Sequence, residues 1–231
     1  MDQITHSVKS KISQLSQLVP QKFYIDIGHL NDTVFVAGSG RSGTTWLEEI
    51  INFDNQYRIM FEPFHSKKVK LISHWKYFQY IRENNDDPEF VEPMTKILRG
   101  KLKNGWVDRH NKKIFADKRI VKAVHANLFL NWLNKKFKDV PIILILRHPC
   151  AVVNSKMNIA EKWFKKPNLN LFLRQEELLH DFLNPFIREI NQPTTVFEKF
   201  ILMWCIENYV PLKQFQQNEI LRDDFWPQRS D

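Results

Sequence analysis

Apolar positions along the chain fall into two kinds of run. Thr33-Val-Phe-Val-Ala37 and Pro141-Ile-Ile-Leu-Ile-Leu146 are continuous and rich in β-branched residues, as strands buried on both faces are. Elsewhere the apolar residues recur at helical spacing. Leu47, Ile50 and Ile51 stand at i, i+3 and i+4 directly after the first strand and predict a helix facing the core. Phe129, Trp132, Leu133 and Phe137 share one helical face before the second strand. Pro149 suits the opening of the helix that follows, because the first helical position needs no N–H donor. A third long helix is announced by Thr195 and Glu198, which form a capping box, with Phe197, Phe200, Ile201, Trp204, Cys205 and Leu212 marking its buried stripe. Pro211 is expected to kink or end it. Strand, turn and helix, twice over, predict an α/β fold of three layers, α/β/α, around a central parallel sheet.

The chain has 231 residues, enough for one sizeable core, and no repeat or low-complexity linker divides it. A single domain is expected, with residues 1–31 as an N-terminal segment. Residues 64–121, rich in Trp, Tyr, Phe and Lys, show no readable periodicity and are expected to be an insertion. The formal charge of +8 favours a polyanionic partner such as a nucleotide or an acidic glycan. Its lysine pairs are too scattered for a nucleic-acid tail, so no nucleic-acid partner is expected. Two cysteines suit a reducing cytoplasm and give neither a disulfide framework nor a metal site. Met1–Gln21 is polar and lacks a signal-peptide core, and no apolar run approaches the roughly 18 residues of a membrane span.

Only six glycines occur in the whole chain, yet Gly38, Gly40 and Gly43 cluster where the first strand gives way to a helix. Glycines there let successive backbone N–H groups converge, and the helix N-terminus adds partial positive charge, making a phosphate cradle like that of the P-loop NTPases. Gly38 and Gly43 have Walker A spacing and Thr45 supplies the hydroxyl, but Thr44 stands where that motif has its lysine. The cation lies inside the loop instead, at Arg41. A nucleotide kinase or NTPase remains the alternative reading.

Gly40-Arg-Ser-Gly-Thr-Thr-Trp46 resembles the 5′-phosphosulfate loop of the P-loop sulfotransferases, whose donor is 3′-phosphoadenosine 5′-phosphosulfate. The resemblance implies that Arg41 neutralises the transferring sulfuryl group, that Ser42, Gly43, Thr44 and Thr45 hold the 5′-phosphate, and that Gly40 and Trp46 complete the donor site. The family's second mark is an arginine ending a buried strand with a serine eight residues on. Arg147 and Ser155 have that placement and by resemblance grip the 3′-phosphate. Together the two motifs carry the likeness over roughly residues 32–220.

Sulfuryl transfer needs a base and cations but no metal, and no metal site is expected. Phe61-Glu62-Pro63 resembles the carbohydrate- and protein-modifying branch, in which a glutamate is the base. This favours a glycan acceptor, with another small molecule as the alternative, and the resemblance implies that the insertion 64–121 lies on the acceptor side. Glu62 also reads as an ordinary loop acid. Lys122 in Lys122-Ala-Val-His125 is a candidate donor contact or a solvated strand-end lysine, and His125 is the alternative base.

After the third helix, Asn218-Glu-Ile-Leu221 begins like a strand and then turns polar from Arg222 to Asp231. The tail 221–231 is expected to lie outside the sheet. A donor-binding protein without turnover is therefore a third reading, and the oligomeric state stays open.

Overall fold

The structure is a computed structural model, and it describes residues 25–112, 115–160 and 167–217. The tail 221–231 and most of the N-terminal segment lie outside those residues. In chain order the strands are β1 (Ile25–Asp26), β2 (Thr33–Gly38), β3 (Tyr57–Phe61), β4 (Phe115–Ala116), β5 (Lys118–Ala123) and β6 (Ile142–Ile145). The α-helices are α1 (Thr44–Ile51), α2 (Pro88–Leu98), α3 (Leu130–Lys136), α4 (Pro149–Ala160), α5 (Asn170–Leu173), α6 (Glu176–Leu178), α7 (Ile187–Asn191) and α8 (Val196–Gln217).

Four strands form a parallel sheet in the order β3-β5-β2-β6, so all their carboxyl ends open on one side. The pleat sorts their side chains into two faces. Val36, Ile59 and Ile120 meet Leu47 and Ile51 of α1 on one side. Phe35, Met60 and Val121 meet α2 and α3 on the other, through Met94, Ile97, Trp132 and Leu133. A helical sub-core joins α4 and α8 through Val153, Phe200, Met203 and Ile206. The chain thus has the three-layer α/β/α fold its sequence predicts.

Several local expectations are corrected. Ile50 is exposed, because Thr44, Leu47, Glu48 and Ile51 form the inward i, i+3, i+4, i+7 face of α1 and Ile50 falls at its rim. The strand at Ile142–Ile145 is only half-buried, since among the described residues β6 is an edge. Helix α8 runs through Pro211 to Gln217 rather than ending there. Its buried stripe keeps Phe200 but adds Met203, Ile206, Glu207, Asn208, Val210 and Gln214, while Phe197 is exposed. Buried polar side chains define that face, so an apolar pattern misplaces it. Residues 64–121 include the first four of β5, and Val69, Ile72 and Trp75 pack into the same core as the sheet.

At the amino ends of the strands lies a buried ionic network. Asp26 accepts from Arg58 at 3.0 Å and from Arg119 at 2.6 and 3.0 Å, and both guanidinium groups are fully buried. Arg58 also donates to Asp108 (2.9 Å) and Gly100 O, and Arg119 to Thr33 Oγ1 and the carbonyls of Gly28, His29 and Leu98. Nearly every donor is used, which is what makes buried arginine tolerable.

Candidate functional site

At the opposite, carboxyl end of the sheet, β2 runs into the glycine loop. Gly38 pairs with Ile145, and a Cβ there would come within 2.7 Å of Ser42 Oγ and 2.9 Å of Ile145 O, so no side chain fits. Gly43 caps α1 at φ 108°, where glycine is at ease, but Arg41 also adopts a left-handed φ of 78°. Such strain in a non-glycine residue persists where its surroundings hold it. The Arg41 carbonyl accepts from Arg147 Nη1 at 3.1 Å, and Arg41 Nε donates to Ser155 Oγ at 2.9 Å. Residues more than 100 positions apart thereby close on one point.

Ser42 N donates to Ser39 O, and the Ser42 hydroxyl is buried with no hydrogen-bond partner among the described residues. An anion in the loop would satisfy such an orphan donor. Thr44 is buried, while Thr45 and Trp46 are exposed, the latter by 67%. Gly40 faces open space, and a Cβ there would meet nothing within 4 Å. From behind the loop, Asn208 of α8 donates to Ser39 Oγ at 3.0 Å.

Two strands away, Glu62 follows β3 with φ 46°. Its Oε1 lies 2.6 Å from Lys122 Nζ and its Oε2 accepts from Val124 N at 2.9 Å. Lys122 sits on β5, beside β2 and in register with Val36, and its ammonium lies 4.3 Å from the centre of the Phe61 ring. Both charged side chains are buried, so Lys122 is not a solvated strand-end lysine. His125 Nδ1 is 3.9 Å from Glu62 Oε2. Burial, then His65, Lys122 and Lys156, push the His125 pKa down to about 3, which leaves it neutral and weakly basic near pH 7.

The rim of this acid–lysine pair is aromatic. Arg109 lies 3.8 Å from the Phe61 ring centre and 3.9 Å from that of Trp106, and Tyr77 packs on His125 with centroids 4.1 Å apart.

The structure therefore brings Gly40, Arg41, Ser42, Gly43, Thr44, Arg147 and Ser155 together around one loop, and Glu62 with Lys122 around a second centre nearby. Sequence reasoning missed Glu48. This buried acid on α1 has its pKa raised to about 7 by desolvation and by the charges of Glu62 and Glu49, against Lys122 and Arg109. A glutamate between Leu47 and Ile51, on the inward side of a short helix, was the available signal. Glu207 and Asn208 were missed too, hidden in an apolar helix.

The family model described as "Sulfotransferase family" matches residues 33–188, from the first residue of β2 into α7. No curated protein and no solved structure matches the chain. Among the described residues, no group of His, Cys, Asp and Glu could hold a metal ion, and no helix is long and apolar enough to cross a membrane.

Proposed function

Because the chain belongs to the sulfotransferase family, we propose that it moves a sulfuryl group from 3′-phosphoadenosine 5′-phosphosulfate to a hydroxyl or amine of an acceptor. The observation that carries this reading is the junction of Arg41 with Ser155 and Arg147. It joins a 5′-phosphate loop to a basic strand end, as a donor with phosphates at both ends of a nucleoside requires.

The residues fit such a donor. The loop N–H groups and the orphan Ser42 hydroxyl would hold the 5′-phosphate at the N-terminus of α1. Arg147 and Ser155 would hold the 3′-phosphate, for which a guanidinium fork is suited. The exposed Trp46 indole offers a face on which the adenine could stack.

The bound donor supplies the sulfuryl group. Glu62 accepts the proton from the acceptor as the new O–S or N–S bond forms and the bridging S–O bond to phosphate breaks. Lys122 and Arg41 stabilise charge on the departing phosphate oxygen, which leaves as part of 3′,5′-diphosphoadenosine. His125 is the less favoured base, its pKa lowered to about 3 by burial and by His65, Lys122 and Lys156.

Within 64–121, His65, Tyr77, Trp106 and Arg109 gather around Glu62 and would form the acceptor side. A glycan acceptor is favoured by the likeness of Phe61-Glu62-Pro63 to carbohydrate-modifying enzymes. The free thiols of Cys150 and Cys205 suit a reducing cytoplasm.

The test is calorimetric. 3′,5′-Diphosphoadenosine should bind well above adenosine 5′-phosphate, without Mg²⁺. Equal affinities overturn the donor assignment, and an obligatory Mg²⁺ requirement for nucleotide binding favours the kinase or NTPase alternative.

A further inference from the structure

Beneath the phosphate loop lies a second group of charges that the proposed chemistry does not use. Lys156 follows Ser155 on α4, but its side chain is buried, with its ammonium 3.8 Å from Glu207 Oε1 of α8. Glu207 is fully buried, and among the described residues neither carboxyl oxygen has a hydrogen bond of good geometry. The next residue, Asn208, holds the Ser39 hydroxyl, which lies close enough to Glu207 to favour its ionised form. Pro211 stands four residues on and lacks the N–H that would bond to the Glu207 carbonyl. The floor of the cradle is thus a half-made ion pair: a carboxyl and an ammonium in contact range, without the hydrogen bonds that normally make buried charge stable.

We propose that Glu207 is a positioning residue that balances charge under the loop, taking up a proton when a polyanion fills the cradle. This rests on the loop being the donor's phosphate site. The physical reason is coupling through Ser39. An anion above the loop raises the cost of a second negative charge below it and favours the uncompensated ammonium of Lys156. Proton uptake on Glu207 removes the negative charge and leaves Lys156 to face the anion. Burial already raises the Glu207 pKa, against the opposing effects of Lys156 and Ser39.

The other titratable neighbours are poor recipients. From the segment before α2, Tyr77 is already protonated, its pKa raised by burial and by the charges of Glu62 and Glu207. From the turn after β5, His125 stays neutral because burial and nearby cations oppose its protonation. On α1, Glu48 is the one competitor, with a pKa near 7.

The experiment is a proton inventory by calorimetry, in two buffers of different ionisation enthalpy. Working at about pH 8 keeps the ligand phosphates ionised, because their second pKa is about 6. The probes are 3′,5′-diphosphoadenosine and adenosine 5′-phosphate. Wild type should take up a substantial fraction of a proton with either anion. Its affinity should fall as pH rises, by up to about tenfold per unit for one linked proton. Glu207→Gln should bind with no uptake and a flat pH profile, since the amide mimics the neutral acid. Lys156→Met should also lose the uptake, because Glu207 is then protonated before binding. This second variant decides the matter if the first fails to fold. Glu48→Gln should keep it.

Absence of uptake in wild type, its survival in Glu207→Gln, or its loss in Glu48→Gln overturns the proposal. Uptake with adenosine 5′-phosphate but no preference for the 3′-phosphate defeats the donor reading alone. A 3′-phosphate preference without uptake defeats this inference alone.

Discussion

Arg41 Nε and Ser155 Oγ meet at 2.9 Å, and this bond places the loop's cation against the helix that follows Arg147. Arg41 therefore ties the glycine loop to both proposed 3′-phosphate ligands, its side chain reaching Ser155 and its carbonyl accepting from Arg147. Removing Arg147 should weaken 3′,5′-diphosphoadenosine by about 2–3 kcal/mol, as for a charge-assisted hydrogen bond, and barely affect adenosine 5′-phosphate. Titration of Arg147→Ala with both nucleotides checks this, and an equal loss for both would mean that Arg147 acts only through the loop.

Glu62→Gln should leave donor affinity nearly intact and reduce turnover by roughly 10²–10⁴-fold, the range for loss of a general base. The substitution also leaves Lys122 buried without its partner, so melting temperature is to be measured beside the rate. Near-normal turnover in a folded Glu62→Gln protein would place the base elsewhere.

Gly38 and Gly40 should respond oppositely to alanine. At Gly38 the added methyl meets backbone at 2.9 Å, and overpacking of this kind costs about 1–3 kcal/mol. At Gly40 it meets open space, so stability should change by no more than about 0.5 kcal/mol. Thermal unfolding of the two variants distinguishes them, and equal losses would contradict the loop geometry.

Asp26 should contribute an acid-sensitive share of stability. Burial alone would raise its pKa, but hydrogen bonds from Arg119 and Arg58 outweigh that and hold it below the ordinary value. A depressed folded-state pKa gives stability that is fully present above the unfolded value, about 4, and lost as pH falls through the lower folded one. Asp26→Asn should cost about 3–5 kcal/mol near neutrality, as breaking a buried pair does. It should also flatten the stability profile below about pH 4. Denaturant unfolding across that range would refute the argument if wild type and variant lost stability in parallel.

The sequence was most legible where one physical demand dominates. Thr33–Ala37 is buried on both sides and reads as a strand, and Thr195 with Glu198 forms its capping box, with bonds of 3.0 and 3.2 Å. The glycine loop was legible because its conformation excludes other residues. β3 and β5 were not read, since each carries a buried arginine, and β5 a buried lysine as well, that break the apolar run. The same cause hid the face of α8. Arg58, Arg119 and Glu207 are buried only because partners from distant segments, Asp26 and Lys156, meet them, and no local pattern announces such pairing.

The Asp26 network has one further consequence, for how this scaffold tolerates change. It clamps β1, β3, β5 and the end of α2 at the amino edge of the sheet, away from the phosphate loop and Glu62. Substitutions at the exposed residues beside Phe61 and Trp106, such as Lys68, Arg109 and His110, would then alter what reaches Glu62 without loosening that clamp. Under the proposed function, acceptor preference would drift along such a rim while the phosphate loop keeps its shape, so new specificities would be reachable by single steps that leave the fold intact.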